Sequence, residues 1–164
     1  MRIPLVLLVF PLFACIACSA QAQGPSEVPK DSVPLPMEQV FTEQYTGIDQ
    51  PRRLVIRTPL EWQAIWSELR REQYPITAPA AVDFSRSMVI LAAMGMRSTG
   101  GHAICIDGVY SSGGRLFVVV QQISPQSGGL MAQVLTSPVV TVQVPLSDEP
   151  VTFVERLETK TPCK

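Results

Sequence analysis

Histidine is nearly absent: the chain of 164 residues holds one, His102. A hydrolytic triad needs a base beside its nucleophile, so any such chemistry would rest on His102, and no Gly-x-Ser-x-Gly elbow accompanies it. A zinc site needs several His or Cys ligands. Of the four cysteines, Cys15 and Cys18 fall in an apolar leader, which leaves only Cys105 and Cys163. Charge is scarce as well. Charged residues make up 16%, Lys+Arg 13 stand against Asp+Glu 14, and the net charge is −1. Without a basic run, the general attraction that nucleic-acid binding draws on is missing. Gly100-Gly101 and Gly113-Gly114 are lone pairs at turn positions, not a phosphate-binding fingerprint. Asp83, Asp107, Asp148 and Glu149 are scattered and give a glycosidase pair no support. The chain therefore reads as a non-enzyme with no metal, no cofactor and no nucleic-acid partner. His102 reads as a residue at a turn–strand junction.

What is present begins with a leader. Arg2 is followed by the almost unbroken apolar run Ile3–Ile16 and then by Ala20-Gln21-Ala22, a small-x-small cleavage pattern. Residues 1–22 read as a signal peptide, and the run is shorter than the ~20 residues a spanning helix needs. The competing reading is a lipid anchor at Cys18, the one route by which this chain would touch a membrane. Both place the protein in the periplasm or cell envelope. There, Cys105 and Cys163 are an even pair in an oxidising compartment. A disulfide between them would pin the C-terminus to a central strand and contribute ~4 kcal/mol on the chain-entropy model. The alternative is a buried thiol at Cys105 and a frayed Cys163.

Pro25, Pro29, Pro34 and Pro36 make residues 23–36 a Pro-rich linker, and residues 37–164 the single folded domain. Thr58-Pro59-Leu60-Glu61 is a capping box with proline at the first helical position. It opens a helix near 59–72, whose Trp62, Ile65, Trp66 and Leu69 form one apolar stripe for the core. Tyr74-Pro75 stops it. Strands are expected over 38–45, 53–57, 88–94, 103–110, 115–122, 139–144 and 151–157. Ser111-Ser112-Gly113-Gly114 marks a hairpin. Met88–Met94 and Leu116–Val120 are apolar on both faces, whereas Val140, Val142 and Val144 alternate with outward Thr141 and Gln143. One helix and six or seven strands give an α+β domain on a mostly antiparallel sheet, sandwich- or barrel-like.

Met88-Val89-Ile90-Leu91, then Ser98-Thr99-Gly100-Gly101-His102, resembles the C-terminal domain of the protease complex subunit PrcB family. The similarity continues through Leu116–Val120 and Pro125 to Leu135-Thr136-Ser137-Pro138 and the strand Val139–Pro145. Upstream, Glu61-Trp62, Trp66 and Val82-Asp83-Phe84-Ser85 are similar to that family's leader segment, so the resemblance spans about 53–155. The chain departs from the pattern at His102 and Val139, where the family commonly has aromatics.

The resemblance implies an exported accessory protein. The family's namesake associates with an extracytoplasmic subtilisin-like peptidase and supports its assembly, so the implied partner is an exported peptidase. Thr99-Gly100-Gly101-His102 is the implied contact loop, its glycines allowing positive φ and close approach of another backbone. The same residues are also what a tight structural turn would need. Two alternatives stand beside this reading. The Thr-Gly-Gly loop is similar to one loop of chagasin-type peptidase inhibitors. An envelope structural or ligand-binding role requires no peptidase at all.

Overall fold

In the computed structural model, residues 27–71, 73–75, 77–126, 128 and 131–158 are described. The leader with Cys15 and Cys18, and Cys163, lie outside the described residues. The strands are β1 (Val33–Pro34), β2 (Glu38–Glu43), β3 (Arg52–Ile56), β4 (Ser87–Ala93), β5 (Ala103–Ser112), β6 (Arg115–Ile123), β7 (Val139–Pro145) and β8 (Val151–Glu158), with one helix, α1 (Pro59–Leu69), between β3 and β4. The fold is α+β and mainly β, as its residue pattern implies.

Two four-stranded sheets pack face to face. One runs β1-β5-β6-β8 and the other β2-β7-β4-β3. All pairings are antiparallel except β6 with β8. That exception follows from connectivity: the chain leaves β6, forms β7 in the opposite sheet and returns as β8. The β5–β6 hairpin closes through Gly113 and Gly114, both at positive φ, as a two-residue turn matched to strand twist requires.

Alternation along β4 divides its apolar residues between two cores. Met88, Ile90 and Ala92 face the other sheet and meet Ile104, Ile106, Val118, Val120, Val140 and Val142. Val89, Leu91 and Ala93 face the opposite way, beneath Trp62, Trp66 and Leu69 of α1. The result is three layers, helix on sheet on sheet. Both faces of β4 from Met88 to Ala93 are therefore dry. Thr141, which the alternation assigns to the outside, is instead fully buried under the helix layer, with its hydroxyl 3.4 Å from the Phe41 carbonyl.

The capping box forms as its spacing demands. Thr58 Oγ1 accepts from Glu61 N–H, while the Glu61 carboxylate accepts from the backbone N–H of Thr58 and Arg57. The Arg57 bond is the largest influence on Glu61 and, with the Thr58 bonds, holds its carboxyl below the usual range despite opposing desolvation. The helix ends at Leu69, earlier than expected, with Arg70 as C-cap. The Arg70 guanidinium lies over the rings of Trp66 (5.5 Å) and Phe41 (5.6 Å). The tryptophans are core residues: they are buried, and their indole N–H groups donate to Ala80 O and Thr77 O.

The two lateral openings of the sandwich differ. On one side Arg53 of β3 grips Glu155 of β8 in a bidentate pair (2.7 and 2.9 Å) and also donates to Ala93 O. Burial raises the Glu155 pKa most, but the bonds from Arg53 and Gln122 and the Arg53 charge together hold it below the ordinary value. On the other side the chain itself crosses between sheets. Val33-Pro34, within the Pro-rich stretch, pairs with Ser111 and Tyr110, Leu35 N–H donates to Val109 O, and the chain then switches to β2.

Candidate functional site

The segment between β4 and β5 carries Thr99, Gly100, Gly101 and His102, and two neighbouring connections, β6–β7 and β2–β3, hold it. Arg97 and Thr136 form a two-way bridge (Arg97 N–H to Thr136 O, 2.7 Å; Thr136 N–H to Arg97 O, 3.0 Å). Gly100 N–H donates to Ala132 O (2.9 Å), and Thr136 Oγ1 donates to Thr99 O (3.2 Å). Gly101 rests against Pro125. Nearer the core, Gly95 takes positive φ against the backbone of Asp49 and Gln50, a fit that a side chain would obstruct.

The two glycines of the loop differ. Gly101 has φ +84°, where a side chain is strained, and a Cβ there would lie 3.3 Å from Pro125 Cβ. Gly100 has no positive φ, and its Cβ would sit 3.5 Å from Val134 Cγ1, an ordinary contact. Backbone strain thus accounts for Gly101 and leaves Gly100 to be explained by something else.

His102 turns toward its own loop. Its Nε2 lies 3.3 Å from Thr99 Oγ1, while Nδ1 is buried without a partner among the described residues. Burial, then the positive charge of Arg97, lowers its pKa below the ordinary histidine value. Both effects favour the neutral imidazole, and among the described residues nothing nucleophilic is joined to it other than the Thr99 hydroxyl. The acidic residues sit apart from it: Asp83 bonds Ser85, Asp107 meets Arg156 at 3.6 Å, and Glu149 lies 3.4 Å from Ser111 Oγ. Among the described residues no group of three His, Cys, Asp or Glu could hold a metal ion, and no helix is long and apolar enough to cross a membrane.

Sequence reasoning missed two features of this end of the sandwich. One is a buried polar staple: Thr46 N–H donates to Ser137 Oγ (2.7 Å), Ser137 Oγ to Thr46 O (2.6 Å), and Thr46 Oγ1 to Ser137 O (2.9 Å). The two residues are 91 positions apart, and neither carries a local signal; only the Thr-Ser-Pro run hinted at the second. The other is an apolar fringe. Tyr45, Met96, Val134 and Leu135 are exposed large side chains on these converging loops. Tyr45, Met96 and Leu135 border a cleft of about 270 Å³ whose polar lining includes Asp49 and Gln73.

Cys105 lies on β5 with its sulfur 3.7 Å from Gln121 Oε1; its expected partner, Cys163, lies outside the described residues. No curated protein and no solved structure matches this chain. The upstream residues read as a family leader fall outside the matched family segment. Residues 88–145, from β4 through the candidate loop to the end of β7, match the family described as PrcB C-terminal, so this segment is similar to that family.

Proposed function

We propose that this is an exported, non-catalytic accessory protein that assembles with an extracytoplasmic peptidase and prolongs its life. The observation that carries the reading is the PrcB C-terminal match, because it spans the candidate loop and both strands that present it. The surface around that loop fits the role. Exposed Tyr45, Met96, Val134 and Leu135 surround a segment pinned by backbone bonds, so a partner would meet a preorganised apolar rim. Residues 1–22 supply the export signal, or Cys18 a lipid anchor, and Cys105 with Cys163 a disulfide suited to that compartment.

The test is the lifetime of exported subtilisin-like peptidases in cells with and without this protein. The expected result is a shortened lifetime without it, restored by the native chain but not by Leu135→Asp or Gly100→Trp. Both variants change surface positions, and unchanged melting would show that each is folded. Unchanged lifetime for every exported peptidase would overturn the proposal. So would a peptidase slowed at equimolar protein, which is the behaviour of an inhibitor.

A further inference from the structure

The partner-facing loop leads directly into an unfinished sheet edge. β5 runs from Ala103 to Ser112, but β1 covers only its Tyr110–Ser111 end before crossing to the other sheet at Leu35–Pro36. Among the described residues, nothing pairs with the outer side of Ala103–Ile106. Residues of an antiparallel strand direct their N–H and C=O alternately to the two sides. Val109 O already faces outward, toward Leu35. The bulge between Ile106 and Gly108 shifts that phase by one residue. Ile106 and Ile104 therefore present the outward main-chain donors and acceptors, while their side chains remain in the inter-sheet core.

This edge opens on a cleft of about 390 Å³ between β5 and β2, bounded by Ala103, Ile104 and Ile106 on one wall and Gln39, Thr42 and Gln44 on the other. The remaining edges carry the usual protection against strand addition. β3 and β8 are joined by Arg53 and Glu155, and β2 is bulged between Gln39 and Phe41, with acidic Glu38 and Glu43. β1 is two residues long and ends in proline. Ala103-Ile104-Cys105-Ile106 has no charge and no proline.

We propose that this gap receives an extended peptide segment of the protein's partner, which adds to β5 as a strand in line with β1. An extended chain is the ligand whose chemistry fits, because alternate main-chain donors and acceptors about 6.8 Å apart match another strand's repeat. Among the described residues the cleft is walled by neutral side chains, so the segment would be uncharged and alternate apolar with small polar residues. The identity of the partner rests on the accessory reading above; the strand site does not.

A phage library of random dodecapeptides, panned against the exported protein, supplies the probe. Selected peptides should bind one to one and slow hydrogen exchange at the Ile104 and Ile106 amides at least tenfold. N-methylation at alternate peptide positions should weaken binding about tenfold each, with the intervening positions indifferent. Gln39→Trp, an exposed substitution that fills the cleft, should abolish binding while the melting temperature holds. The proposal is overturned if folded protein selects no peptide, or if selected peptides leave both amides unprotected. It is also overturned if those amides become protected by raising the protein concentration alone, which would make a second copy the occupant. If peptides bind as described but peptidase lifetime is indifferent to the protein, the strand site stands and the accessory reading fails. If lifetime depends on the protein yet Gln39→Trp supports it fully, the reverse holds.

Discussion

Gly47 is the position at which a single methyl group should do the most damage. It is buried in the loop between β2 and β3, and its N–H donates to Leu69 O at the end of α1 (3.1 Å). A Cβ at this residue would fall far inside contact distance of the Glu68 carbonyl oxygen and 3.0 Å from Arg71 Cβ. The carbonyl is backbone in the last helical turn and cannot rotate aside, so the loop or the helix end must move. Overpacking of this kind costs ~1–3 kcal/mol, and stretching the Gly47–Leu69 bond adds ~0.5–1.5 kcal/mol. Gly47→Ala should therefore destabilise the domain by ~2–4 kcal/mol, a fall in melting temperature of roughly 6–12 °C for a domain this size. Gly100→Ala is the matched control. Its nearest neighbours would be Val134 Cγ1 at 3.5 Å and Ala132 Cβ at 3.6 Å, so stability should stay within ~0.5 kcal/mol. Urea melts of the three proteins decide the matter. Equal stability for Gly47→Ala and the native chain would refute the packing of α1 against this loop.

Removing the hydroxyl in Ser137→Ala orphans the Thr46 N–H and C=O in a buried site; the expected loss is ~2–4 kcal/mol in the same melts. His102, whose pKa is lowered by burial and then by Arg97, binds its proton more readily once the chain unfolds. Stability should therefore decline as pH falls through the unfolded histidine range near 6.5, and His102→Asn should flatten that part of the profile. For the expected disulfide, the ladders give the reach: Glu158 pairs opposite Ile123 and Cys105 opposite Gln121. The two positions are thus separated by roughly 12 Å, within the ~17 Å that five residues span. Thiol titration of denatured, unreduced protein should find Cys105 and Cys163 unreactive, and two free thiols would refute the bridge.

The parts of this fold that local chemistry dictates were readable in advance. The capping box at Thr58–Glu61, the Trp62/Trp66 stripe and the Gly113-Gly114 hairpin each follow from neighbouring residues. The continuous apolar run at Met88–Met94 correctly announced a strand covered on both faces. Thr141 misled because alternation reports two faces but not whether a second layer covers the polar one; here α1 does. The parallel pairing of β8 with β6 and the staple between Thr46 and Ser137 depend on residues distant in sequence, which no local pattern encodes. The candidate loop was legible as a motif, but the different roles of its glycines were not, since only the backbone shows φ +84° at Gly101 alone. The gap beside Ile104 and Ile106 was likewise invisible. It exists because β1 departs at Leu35–Pro36, a property of the sandwich and not of β5.

The most direct measurement of the accessory reading is affinity capture of the tagged protein from native envelope extract, with quantitative mass spectrometry of what it retains. The account predicts a subtilisin-like peptidase at close to one copy per copy, absent when the bait carries Leu135→Asp. A folded bait that retains no peptidase, or retains it equally with that substitution, would contradict it.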